Sequence, residues 1–121
     1  MLDTSSLSRA QLRRHLRGMR RALSPLAQHQ AARGLYKQLI HSPVFRRAKH
    51  IALYLPNDGE IDPRLLLRAA QKRGKATYLP VLSPWPRSKM VFQRVRAGER
   101  LHKNRFGIDE PRRCLKQQRK V

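Results

Sequence analysis

The stretch 51–63, Ile51-Ala52-Leu53-Tyr54-Leu55-Pro56-Asn57-Asp58-Gly59-Glu60-Ile61-Asp62-Pro63, constrains the fold more than any other. Residues 51–55 are a short, almost wholly apolar run, the pattern of a parallel strand covered on both faces. Pro56 has no N–H to give a ladder, so it closes the strand. Asn57-Asp58-Gly59 is turn chemistry, with Gly59 free to take positive φ. Asp62-Pro63 reads as a helix start: Asp62 caps, and Pro63 sits where a missing N–H costs nothing. Ligands in open α/β sheets bind outside the carboxyl ends of strands, and Glu60 would stand at such an end.

Charge sharpens this reading. Of seven acidic residues in the chain, three (Asp58, Glu60 and Asp62) lie in this one loop. Asp58 and Asp62 are accounted for as turn and cap residues. Glutamate is a weak turn former, which leaves Glu60 as the candidate functional carboxylate.

The rest of the chain supplies the elements around that loop. Ser8 and Gln11 fit a capping box opening a helix over 8–23. Leu12, Leu16, Met19 and Leu23 make an apolar stripe along it, beside an arginine stripe of Arg9, Arg13, Arg17 and Arg20 or Arg21. That basic stripe is either a solvated face or a phosphate-binding surface. Ser24-Pro25 starts a second helix running to about His41, with Ala32, Leu35, Tyr36, Leu39 and Ile40 inward. Ser42-Pro43 allows one more short turn, with Val44, Phe45 and Ala48 inward. After the strand at 51–55, a third helix spans 63–73, with Leu66, Leu67 and Ala70 in the core and Gly74 as its stop. A second strand, Ala76-Thr77-Tyr78-Leu79, ends at Pro80. Strand, helix and strand make a right-handed parallel βαβ unit. A third strand covers 90–95, with Met90 and Phe92 on one face. Residues 104–111 read as an ordered loop. The last ten residues show no periodicity and carry a charge of +5.

The single Cys114 excludes an internal disulfide and suits a reducing compartment, hence a cytoplasmic location. No apolar run approaches the roughly 18 residues of a membrane span. The N-terminus lacks the charged start and apolar stretch of a signal peptide. The six glycines are scattered, so there is no glycine-rich phosphate loop. The five histidines have no metal-ligand spacing with one another or with Cys114, and no metal ligand or catalytic residue can be assigned. Trp85, between two prolines, reads as packing over the mouth of its own domain, with stacking on a planar ligand as the alternative.

Four pieces, in this order, resemble the 5-formyltetrahydrofolate cyclo-ligase (methenyltetrahydrofolate synthetase) family. They are Arg20-Arg21-Ala22-Leu23-Ser24; the strand and loop 51–62; Gly74-Lys75 with Tyr78-Leu79-Pro80-Val81-Leu82-Ser83-Pro84; and Asn104-Arg105-Phe106-Gly107-Ile108 with Glu110-Pro111. The resemblance implies an α/β fold, a three-layer arrangement around a sheet of mostly parallel strands with flanking helices. It implies ATP-dependent closure of 5-formyltetrahydrofolate to 5,10-methenyltetrahydrofolate with Mg2+. Phosphoryl transfer to the formamide oxygen makes a poor leaving group a good one, and the N10 amine then attacks the activated carbon. It further implies that Arg9, Ala10, Gln11, Leu12 and Arg13 bind ATP, with Arg9 standing where a lysine is usual. Leu55 and Glu60 match folate-contacting positions, where Glu60 would accept hydrogen bonds from the reduced pterin.

The departures are as informative. Members of the family continue well beyond this length and carry a Gly-x-Gly-x-Gly-Tyr-Tyr-Asp segment that this sequence lacks. The pattern stops at Pro111, so 1–111 reads as the N-terminal part of a single cyclo-ligase domain and 112–121 as a basic tail outside it. A truncation or a shifted reading frame near codon 111 would produce this. A chain so cut is expected to have low or no ligase activity and to be marginally stable or prone to associate. The net charge of +21 alone would suggest nucleic acid or an anionic membrane. The missing half would balance it, and the aromatics are not interleaved with the arginines. Small-molecule partners are therefore expected, with no membrane and no nucleic acid. A small basic nucleic-acid-binding module and an inactive remnant stand as the alternative readings.

Overall fold

The computed structural model describes residues 6–56, 59–82 and 90–120. The expectations placed on Asp58, on Trp85 and on the first five residues lie outside these segments. The elements in chain order are helices α1 (Arg9–Arg21), α2 (Pro25–Ile40) and α3 (Pro43–Arg47), strand β1 (His50–Ala52), helix α4 (Arg64–Lys72), and strands β2 (Ala76–Leu82), β3 (Met90–Val95), β4 (His102–Lys103) and β5 (Asp109–Glu110). A 3-10 turn (Leu115–Gln117) and strand β6 (Gln118–Lys120) follow. No helix among the described residues is long and apolar enough to cross a membrane.

The helix starts follow local chemistry. Ser8 Oγ accepts from Gln11 N while Gln11 Oε1 accepts from Ser8 N, a complete capping box. Ser24 and Ser42 each accept from a backbone N–H three residues on, at 3.1 Å, with a proline following. Asp62 acts one residue away from its expected place. Its Oδ1 accepts from Arg64 N at 2.9 Å, but Pro63 itself occupies the cap position of α4. Gly74 takes φ +72 after α4, as a left-handed stop requires.

The main sheet has the order β1-β2-β3-β6, and β4 pairs with β5 in a separate two-stranded ribbon. The α/β class with flanking helices holds, but the sheet is mixed. β1 and β2 are parallel, whereas β2–β3 and β3–β6 are antiparallel. The expected predominance of parallel strands fails because only seven residues separate β2 from β3. A parallel return needs a crossover of a dozen residues or more, so a short connection brings the chain back antiparallel. The terminal segment without periodicity also joins the sheet, with Phe92 opposite Arg119 and Gln93 opposite Gln118.

Pro80 has a role other than the one expected of it. β2 does not end there but runs on to Leu82. Leu53 N donates to Tyr78 O, so even-numbered residues of β2 turn their backbone polar groups toward β1. The next donor owed to β1 would be the N–H of Pro80, which does not exist. β1 therefore stops at Ala52 and falls short of the expected 51–55, while β2 continues on its bonds to β3.

The core lies between the helices and one face of this sheet. Ile40, Phe45, Leu66, Ala69 and Ala70 form one cluster, with Tyr36, Leu39, Ile51 and Leu53 against it. Leu55, Leu67, Leu79 and Val95 form a second, joined to the first through Leu53. Lys75 closes the side of this core: its Nζ donates to Ala48 O at 2.6 Å and stands 5.2 Å from the Phe45 ring centroid. The two-sided burial expected for 51–55 is not found, since Ala52 and Tyr54 are exposed. On that second face Tyr54 meets Phe92 edge-on, and His50 Nδ1 lies 2.9 Å from the Tyr78 hydroxyl. Val44 is exposed rather than inward. α1 has no buried residue, and Leu16, Met19 and Leu23 of its stripe are about half exposed.

Candidate functional site

Past β1 the chain leaves the sheet, but Leu55 turns back into the core, 7% exposed among Leu67, Leu79 and Val95. Gly59 then takes φ +76 with the Arg20 carbonyl and Cγ 3.4 Å from where a Cβ would stand. The end of α1 thus lies against this loop, and both the backbone angle and the close approach call for glycine. Glu60 follows, exposed, before the Asp62 turn. Asp62 Oδ2 holds Arg64 Nη1 at 2.9 Å, and Arg64 Nη2 reaches Asp109 Oδ2 at 3.9 Å. This chain of partly exposed charges ties the Glu60 loop to β5; such pairs set position more than stability.

A cleft of about 260 Å³ opens between these segments. Tyr54, Leu55 and Glu60 form one wall, Pro80, Val81 and Leu82 its floor, and Asn104, Phe106, Ile108, Asp109 and Glu110 the other wall. It lies beyond the carboxyl ends of the parallel pair β1 and β2, where α/β sheets bind ligands. The lining is mostly apolar and aromatic, with few polar groups, as small-molecule sites are.

The other wall is built on Asn104. Its Oδ1 accepts from Phe106 N at 2.8 Å and from Ile108 N at 3.1 Å, and its Nδ2 donates to Glu110 Oε2 at 2.9 Å. Glu110 is 7% exposed, and the same Oε2 accepts from Leu82 N at 3.0 Å. One carboxylate oxygen therefore pins the end of β2 to the Asn104 loop. Glu60 also borders a neighbouring groove of about 380 Å³ between α2 and α4, with His29, Asp62, Arg64 and Arg68.

Of the expected site residues, Leu55 and Glu60 come together on one wall of the cleft. Arg9, Ala10, Gln11, Leu12 and Arg13 form the opening turns of α1, at the far end from Arg20, and line none of the clefts described here. At 1.5 Å per residue, Arg9 is about 16 Å along the helix from Arg20. Gln11 is engaged in the capping box, whereas Arg9 and Arg13 are exposed cations. They fit an anionic phosphate chain in charge and access. Among the described residues no three His, Cys, Asp or Glu side chains converge on a metal position. Asp62 and Asp109 are each tied to a cation. Sequence reasoning used Asn104 and Glu110 only as part of a family-like stretch and gave neither a site role. The signal available was a glutamate beside a proline in a chain nearly devoid of acid.

The fold and this cleft define an α/β protein with an apolar cleft at its strand ends. The chain belongs to the 5-formyltetrahydrofolate cyclo-ligase family, whose sequence profile matches residues 5–121. It is 36% identical over 104 residues to the 5-formyltetrahydrofolate cyclo-ligase of Haemophilus influenzae, covering 86% of this chain and 56% of that protein. It is 32% identical over 97 residues to the enzyme of that name from Escherichia coli, covering 80% and 53%. Its structure resembles the 5,10-methenyltetrahydrofolate synthetase of Aquifex aeolicus with a TM-score of 0.73 at 28% identity, over 84% of this chain and 50% of that one. The synthetase of Mycoplasma pneumoniae shares the fold, with a TM-score of 0.61 at 18% identity, over 74% and 54%. The chain thus spans about half the length of the relatives it matches.

Proposed function

We propose that this chain serves the ATP-dependent cyclisation of 5-formyltetrahydrofolate to 5,10-methenyltetrahydrofolate, and that its own share of the work is to hold the folate. The observation that carries this reading is the meeting of Leu55 and Glu60 in one apolar cleft at the strand ends. Leu55, fixed by the core, offers an apolar contact to the pterin, and Glu60 accepts from its N–H groups. Tyr54 and Phe106 add aromatic surface to the cleft for the pterin to pack against. ATP, when bound, supplies the phosphoryl group that turns the formyl oxygen into a leaving group. Arg9 and Arg13 would pair with its phosphates, and magnesium would accompany them. A reducing cytoplasm suits the exposed thiol of Cys114.

Calorimetric titration with 5-formyltetrahydrofolate tests this reading. Saturable binding is expected, and Glu60→Gln should weaken it about 10-fold or more, the worth of a charge-assisted hydrogen bond. A chain that binds no folate, or a Glu60→Gln variant that binds it equally well, would sink the proposal. For ATP, thermal shift with MgATP should stabilise the chain. The double variant Arg9→Ala, Arg13→Ala should lose most of that stabilisation while keeping folate affinity. Equal MgATP shifts in the two proteins would remove the nucleotide from α1.

A further inference from the structure

Glu110 carries more acceptor capacity than its structural bonds use. It is 7% exposed, and glutamate is seldom so buried unless paired with a cation. In a chain with 28 lysines and arginines, no cation pairs with it among the described residues. Its neighbour Asp109 takes both Lys103 and Arg64 instead. The two donors Glu110 does have, Leu82 N and Asn104 Nδ2, both fall on Oε2. A carboxylate has about four lone-pair sites. Among the described residues Oε1 accepts no hydrogen bond, and the side chain lines the cleft that also holds Glu60. Tying β2 to the Asn104 loop needs only a neutral acceptor, which a glutamine would supply. The negative charge is left over from that task.

We infer that Glu110 is a second recognition carboxylate of this cleft, accepting an N–H of the bound pterin opposite Glu60. The inference rests on the folate reading above. The cleft is lined by three carboxylates, and since Arg64 and Lys103 hold Asp109, Glu60 and Glu110 are the two that would meet a flat heterocycle rich in N–H donors on the apolar and aromatic lining. The reduced pterin has such donors on its ring and at its exocyclic amine. Glu60, exposed and at the mouth, and Glu110, buried at the wall, would together fix the ring's orientation.

The test is fluorescence titration of 5-formyltetrahydrofolate into the wild-type chain and into Glu110→Gln, with a urea midpoint for each. The glutamine oxygen keeps the bonds from Leu82 and Asn104, so the midpoint should stay near wild type while affinity falls about 10- to 100-fold. Unchanged affinity in a wild-type chain that binds folate overturns the inference and leaves the folate reading standing. So does a loss of affinity matched by a fall in midpoint, which marks Glu110 as structural only. A wild-type chain that binds no folate brings down both. If Glu110→Gln does not fold, Glu110→Asp takes its place. It keeps the charge but withdraws the oxygens by one methylene, and unchanged affinity in that variant also overturns the inference.

Discussion

Leu79→Ala is expected to destabilise the chain by about 3–4 kcal/mol, because it opens a cavity where the fold has least room to relax. Leu79 is 0% exposed and sits among Leu55, Leu67 and Val95. Its strand neighbours Thr77 and Val81, on the same face, are also fully buried, so no side chain nearby is free to collapse into the gap. A domain of this size holds about 5–15 kcal/mol in all, so the loss is about a fifth to four fifths of the total. With a slope of about 1–2 kcal/mol per molar, the urea midpoint should drop by about 1.5–4 M. Leu16→Ala on α1 is the control, since Leu16 is 51% exposed and its removal should stay within about 0.5 kcal/mol. Equal midpoints for the two variants would mean that the second core cluster does not hold the sheet together. The consequence reaches the site, because Leu55 packs in that cluster and also walls the cleft.

What could be read from the sequence was whatever local chemistry decides. Ser8 with Gln11, Ser24-Pro25, Ser42-Pro43 and Gly74 each carry their own reason for starting or stopping a helix, and each appears where expected. The strand at Met90–Val95 and the inward residues of α4 were legible for the same reason: period and side-chain type agree. The errors fall where a partner from elsewhere decides. The length of β1 depends on a proline of the neighbouring strand, Pro80. The direction of β3 depends on the reach of a connection. The pairing of β6 depends on a free edge of β3, which its own composition cannot announce. Glu60 was singled out because a glutamate in a turn is out of place, and the structure sets it on the cleft. Glu110 stood out only as a glutamate beside a proline, because its bonds are to Leu82 N and Asn104 Nδ2, neither of which is marked in sequence as its partner.

Asn104→Ala should cost about 3 kcal/mol and remove most of the affinity for 5-formyltetrahydrofolate. Three side-chain hydrogen bonds go at once: those from Phe106 N and Ile108 N to Oδ1, and that from Nδ2 to Glu110. Each contributes about 1 kcal/mol, and more where a buried group is left wanting a partner. The backbone bonds Asn104 N to Ile108 O and Gly107 N to Asn104 O remain possible, so the turn survives but is no longer held to the wall. Phe106 and Ile108 then lose their fixed place over the cleft, and folate binding should fall at least 10-fold. Asn104→Asp separates the two halves of this account. It keeps both acceptor bonds from Phe106 N and Ile108 N but sets a carboxylate 2.9 Å from Glu110 Oε2. Like charges at that distance repel strongly in a part-buried site. The aspartate variant should therefore be at least as unstable as the alanine variant, although it has lost only one bond. If its urea midpoint instead matched wild type, Glu110 would not be held by Asn104, and the cleft would need a different wall.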